Sequence, residues 1–246
     1  MPNNISNQLI VTANTNEELQ NFLTSIKSNI ISDGKQQVID FNTIIPMPMP
    51  LRNSESSSYI DDCIFYYTHK TNQLDLGEKI LKYIRFYNMD RFKDKSESEL
   101  ADMYNTGEVY VGYYNEFGAK DWYDWSIANW GTKWNAYYSD VNMLSDTTAE
   151  ICFDTAWSGV PDIIMKLIEM FPSLKFEYLF ADEDMGYNCG SGYSENGDFY
   201  FEMIEPCSEE AIRTYAICKR YDFEDFYQDN DGRWHNRNWE EDEEEN

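Results

Sequence analysis

A β-α-β pattern near the start of the sequence and a second one after residue 147 predict an α+β fold. Two such units joined on one antiparallel sheet make the ferredoxin-like arrangement. Helix-like segments between them predict an insertion at about residues 60–140. The expected domain therefore spans residues 1–205. A helix and linker at 206–227 and an acidic tail at 228–246, expected to be disordered, complete the chain.

The first strand is "NQLIVTA", rich in β-branched residues. In "TNEELQNFLTSIKSNI", Leu19, Phe22, Leu23, Ile26 and Ile30 share one helical face. Thr15 and Glu18 have capping-box spacing, in which each side chain satisfies a free amide of the first turn. Asp33-Gly34 turns the chain, and "QVIDFNTIIPMPMP" reads as the second strand, ended by its prolines. The serine-rich stretch 51–60 reads as loop. Leu76, Ile80, Tyr83, Ile84 and Tyr87 line one helix. Ser96 and Glu99 open another, predicted to run through "EVYVGYYNEF" to about Gly118.

After Thr147 the pattern sharpens. "AEICFDTAW" alternates as a strand, and "SGVPDIIMKLIEMFP" is a helix with Pro161 in its first turn and Pro172 past its end. "LKFEYLFAD" alternates again. "GYNCGSGYSENGDFYFEMI" reads as a hairpin turning at Glu195–Asp198, and "SEEAIRTYAICKRY" as a last helix.

Asp and Glu number 45 against 19 Lys and Arg, a formal charge of −26. Residues 151–246 carry net −17 of it, from 24 acids and seven bases. Such a charge repels phosphate polyanions and favours basic partners. The five cysteines have no C-x-x-C spacing and read as free thiols in a reducing cytosol. The N-terminus has no secretory pattern and no apolar run approaches a membrane span, so a cytoplasmic protein is expected.

"WYDWSIANWGTKWNAYY" places Trp122, Trp125, Trp130 and Trp134 within residues 122–138. Gly131 interrupts any helix, so the segment is expected to leave a helix, run extended across the sheet and turn. Indoles of this size are expected to be core, together with Trp157. Lys133, between two tryptophans, suits a cation–π contact.

"NTIIPMP", "DWYDWSIANWGTKWNA" and "FDTAWSGVPDIIMKLIEMFPSLKFEY", in that order, resemble the YubB-like family of phage- and plasmid-encoded proteins. The resemblance covers most of residues 7–200 and implies a mobile-element origin and a ferredoxin-like domain. It implies no catalytic residues. The acidic extension after about residue 205 departs from it.

Signatures of catalysis are sparse. His69 and His235 are the two histidines and neither sits in a motif, and no phosphate-binding glycine motif occurs. "YQDNDGRWHN" imitates a calcium loop but offers Tyr227 and Asn238 at its first and last ligand positions. No cofactor and no metal are expected, and a non-enzymatic role is favoured. The expected function is an acidic interaction protein of a mobile element that binds, and inhibits, a basic or nucleic-acid-handling host protein by nucleic-acid mimicry. Its expected interaction residues are Asp182, Glu183, Asp184, Glu195, Asp198, Glu202 and Glu205. Two other readings stand beside it: a single-stranded nucleic-acid binder using sheet aromatics, and a carboxylate–metal hydrolase.

Overall fold

A computed structural model of the chain describes residues 3–27, 31–32, 35–81 and 87–238. The chain divides into two compact units, Met1–Pro46 with Trp130–Asn246, and Met47–Asn129.

In chain order, β1 (Asn4–Thr12) leads to α1 (Asn16–Ser25), then a minimal hairpin of β2 (Ile31–Ser32) and β3 (Lys35–Gln36). The stretch expected to be the second strand instead forms α2 (Phe41–Ile44), a single turn. Its cause is local: the Asp40 carboxylate accepts the Asn42 amide, and Phe41 and Ile44 turn inward together.

The smaller unit follows, with α3 (Met49–Arg52), α4 (Ser58–Lys70), α5 (Leu74–Ile80), α6 (Glu97–Phe117) and most of α7 (Trp122–Trp130). The sequence reading has no counterpart of α4, whose stripe Ile60, Cys63, Ile64 packs in one cluster with Met103 and Val111 of α6. Tyr83 and Ile84, like Ile30 and the Asp33-Gly34 turn, lie outside the described residues. The capping box at Ser96 and Glu99 is present, and α6 ends at Gly118 with φ +76. At Thr15 half of the box forms: Glu18 reaches back to the amide of Asn14 instead.

The larger unit resumes with β4 (Tyr137–Met143), β5 (Thr148–Ala156), α8 (Pro161–Met170), β6 (Lys175–Asp182), β7 (Gly190–Glu195) and β8 (Asp198–Met203). Last come α9 (Glu209–Lys219), β9 (Phe226–Gln228) and β10 (Trp234–Asn236). Six strands form one antiparallel sheet in the order β4-β5-β1-β6-β7-β8. The first four have the ferredoxin-like order, and the β7–β8 hairpin extends the sheet beyond β6. The second strand of the first β-α-β unit is thus β4, which the sequence reading did not assign.

Period-2 alternation sorts the strands into two faces. On the inner face Ile5, Leu9, Val11, Phe153, Phe176 and Tyr178 are buried with the apolar stripes of α1 and α8. Phe22 meets Phe171 and Phe176 edge-on at 5.2 and 5.7 Å. On the outer face α9 covers one end, where Ala181, Ile212, Tyr215 and Phe226 cluster.

The span 228–246 is not a tail throughout. Asp229 accepts from the amides of Asp231 and Arg233 and pairs with His235 Nε2 at 2.9 Å, closing the β9–β10 turn with Gly232 at φ +81. The residues that imitate a calcium loop are therefore a hairpin turn. Residues 239–246, with most of the acidic run, lie outside the described residues.

Candidate interaction face

Strand register assembles the site. Glu177 pairs with Tyr193, Tyr193 with Tyr200, Ser191 with Glu202, and Glu195 with Asp198. Directly opposed residues share a face, so all of these side chains project outward, beside Gln8 and Ile10 of β1 and Glu150 of β5. Asn196 and Gly197, with φ +55 and +87, make the two-residue turn that holds the hairpin in this register. Gly192 is required for a different reason: a Cβ there would stand 2.7 Å from the Phe199 ring on the inner face.

Tyr193 and Tyr200 stack at 5.2 Å with their planes 18° apart, and they are 50 % and 47 % exposed. A groove of about 430 Å3 runs beside them, lined by Gln8, Ile10, Glu177, Leu179, Ser191 and Tyr193. A second hollow of about 320 Å3 lies against Tyr193, Tyr200 and Glu202. Glu150 accepts from Gln8 Nε2 at 2.6 Å. Among the described outward positions of the six-stranded sheet Lys175 is the single basic residue. On the half covered by α9, the neighbouring bases are engaged: Lys219 donates to Ser6, and Arg220 pairs with Asp140 at 3.1 Å. Burial raises the Asp154 carboxyl above its ordinary range, against the opposing pull of Ser6 and Lys219.

The expected interaction residues divide into two groups. Glu195, Asp198 and Glu202 come together on the open face. Asp182 is buried, accepting from Asn3 Nδ2, Asn188 Nδ2 and the Asp184 amide. Glu183 accepts from the Asn4 amide and Asp184 from Asn3 Nδ2, so this trio clasps the first strand at the sheet end. Glu205 is exposed in the turn after β8. The sequence reading missed Glu150, Glu177, Tyr193 and Tyr200. Alternation in "KFEYLFAD" separates Glu177 from the core, but partners across strands are not visible in one strand.

The tryptophans also divide. Trp122–Trp130 is helical rather than extended, and Gly131 at φ +74 ends it. Trp125 and Trp130 are buried and Trp122 is half-buried. The Trp130 indole donates to the Ile45 carbonyl at 2.9 Å and meets Phe41 edge-on. Trp134 and Trp157 are exposed, contrary to expectation, because both stand beyond strand ends. The Lys133 ammonium lies over these two rings, where the sequence neighbours suggested Trp130 and Trp134.

Among the described residues no group of three or more His, Cys, Asp and Glu side chains is placed to hold a metal ion. No described helix is long and apolar enough to cross a membrane.

Residues 133–230 match the family model described as the ferredoxin-like domain in Api92-like protein. The matched stretch contains every strand of the sheet except β1, and all the open-face residues named above except Gln8 and Ile10. A crystal structure of a protein Api92 from Yersinia pseudotuberculosis is similar at 11 % identity, with a TM-score of 0.38, over 84 % of this chain and 100 % of that chain. No curated protein matches the chain.

Proposed function

We propose that the chain is an acidic, non-enzymatic interaction protein that receives a basic partner protein on the open face of its sheet. The observation that carries this reading is the register placing Glu177, Glu195, Asp198 and Glu202 on one face around the Tyr193–Tyr200 stack. Carboxylates on paired strands keep fixed spacing, as recognition of a basic cleft requires. Exposed tyrosines add area and cation–π contacts for Arg and Lys. The net charge of −26 steers such a partner inward. With the mobile-element origin that the family resemblance implies, the partner is a nucleic-acid-handling protein of the host cytoplasm. Its inhibition follows from occupation of a cleft made for phosphates.

The Tyr193–Tyr200 pair also favours a second reading, stacking of single-stranded nucleic acid on the sheet. The surrounding carboxylates oppose it, since little supplies the phosphate contacts.

Fluorescence anisotropy with a labelled lysine-rich peptide and a labelled oligothymidylate separates the two. The peptide is expected to bind, to weaken from 0.15 to 0.5 M salt, and to lose at least tenfold in affinity in E177Q/E195Q/D198N/E202Q. A control variant, E78Q/E97Q/D102N/E116Q, removes the same charge from exposed positions of the smaller unit. Equal losses in both variants would reduce the effect to net charge, and tight binding of the oligothymidylate would establish the second reading.

A further inference from the structure

The Lys133 ammonium lies 4.7 Å from the ring centroid of Trp134 and 5.2 Å from that of Trp157. The indoles are 39 % and 41 % exposed. Two large aromatic rings at a surface, converging on one cation, need a cause.

The frame around them anchors the Trp157 backbone and gives the Trp134 ring an aromatic neighbour, neither through the lysine. Trp157 has φ +73, a left-handed backbone that bulky side chains rarely adopt. It is pinned on both sides: its amide donates to the Asn3 carbonyl at 3.0 Å, and its own carbonyl accepts from Asn188 Nδ2 at 3.0 Å. Asn188 also donates to the buried Asp182, so the carboxylate clasp at the sheet end positions the Trp157 backbone. Trp134 rests edge-on against Tyr137 at 6.3 Å. The Tyr137 hydroxyl bonds to Asn4 Oδ1 at 2.7 Å and to the Thr155 carbonyl at 3.0 Å. Against this scaffold the lysine is the adaptable part, an ammonium on a flexible four-carbon stem.

We propose that Trp134 and Trp157 form a preorganised seat for an alkylammonium group. Lys133 fills that seat from within the chain, and a lysine side chain of a partner, methylated or not, displaces it. Quaternary and primary ammonium groups share the attraction to indole faces, and a site of this kind gains from rings held in place beforehand. Lys133 then acts as a competitor that sets a threshold for an incoming lysine. The seat rests on its own geometry and is separable from the open-face reading, whose residues it does not include.

The test is titration of the full chain with Nα-acetyl-lysine methylamide and with its trimethyl-lysine counterpart, following indole N–H resonances by NMR. K133A is expected to show saturable shifts of the Trp134 and Trp157 indoles, with at least tenfold tighter binding than the parent. K133R, which keeps an internal cation, should resemble the parent. K133A/W157A should lose the effect, with the remaining spectrum reporting that the fold is intact. Preference for the trimethyl form would assign the seat to methylated lysine, and parity to lysine in general. Absence of saturable shifts in K133A, or equal binding by K133A and K133A/W157A, would overturn the proposal.

Discussion

The Tyr178 hydroxyl donates to Asn7 Oδ1 at 2.6 Å and accepts from the Val160 amide at 2.7 Å, tying the β1–β6 pair to the start of α8. Asn7 Nδ2 in turn donates to the carbonyls of Ile5 and Phe153 and to Thr155 Oγ1. All three side chains are buried in an otherwise apolar core. A satisfied buried network specifies register, and a broken one is costly, because each stranded partner keeps its desolvation penalty.

Asn7→Ala should therefore cost about 2–4 kcal/mol and Tyr178→Phe about 1–3 kcal/mol. The double variant should fall short of the sum by about 0.5–3 kcal/mol, as residues of one network do. Urea denaturation of the four proteins measures the coupling, and strict additivity would show that the two residues act independently.

Trp130 and Trp134 should behave oppositely although only three residues lie between them. Trp130→Ala empties a buried site and leaves the Ile45 carbonyl without its donor, so a loss of about 3–5 kcal/mol is expected. Trp134→Ala removes an exposed ring and should stay within about 1 kcal/mol. Thermal melts that shift equally for both would contradict this division.

Much of the fold is legible in the sequence where periodicity runs without interruption. The alternation of residues 149–156 and 174–180, the proline-bounded α8 and the Glu195–Asp198 turn each carry their own local signal. The second strand of the first unit is misplaced because "QVIDFNTII" has β-type composition, while capping by Asp40 and burial of Phe41 and Ile44 favour a helical turn. Its true counterpart, β4, is hidden by a register shift between Tyr137 and Asp140 that breaks the alternation. For the site, acidic character is visible in composition. Which acids are structural depends on contacts across the chain, such as Asp182 with Asn3, that no local pattern contains.

Alkaline pH should unfold the sheet unit early. Burial, helped by Asp154 and Glu183, pushes the Tyr137 phenol up to about 12, and burial, helped by Tyr221, pushes Tyr215 to about 12 as well. In the unfolded chain these groups lose their protons near 10. The stability they contribute is thus whole below pH 10 and is lost as pH rises toward 12. Tyr137→Phe should flatten that decline in denaturant midpoints measured between pH 9 and 12. An unchanged slope would mean that the phenol is not held neutral by the fold.

Deletion from residue 228 onward should destabilise the chain, because it removes β10 and, with it, Trp234, whose indole donates to the Cys207 carbonyl at 3.0 Å and packs beside Phe223. The unsupported β9 would leave Phe226, a member of the outer-face cluster around Tyr215, without its strand partner Asn236. A lower melting temperature than that of a chain ending at residue 238 is expected, and identical melts would show that the hairpin is dispensable.

The two acidic sets should separate stability from recognition. Glu177, Glu195, Asp198 and Glu202 are exposed strand side chains, so E177Q/E195Q/D198N/E202Q should melt within a few degrees of the parent. D182N/E183Q/D184N removes the charge and turns one of the two Asp182 oxygens that accept from Asn3, Asn188 and the Asp184 amide into a donor, and hydrogen bonds to a charged group contribute about 1.5–3 kcal/mol. This second set should lower the melting temperature markedly. At physiological salt the Debye length is about 8 Å, so carboxylates act strongly on a partner at close range only. The open-face set should accordingly weaken binding of the lysine-rich peptide at unchanged stability. The clasp set, compared at a temperature where it is fully folded, should leave most of that binding in place. If the clasp set abolishes binding while folded, the partner docks at the sheet end and the open face is not its site.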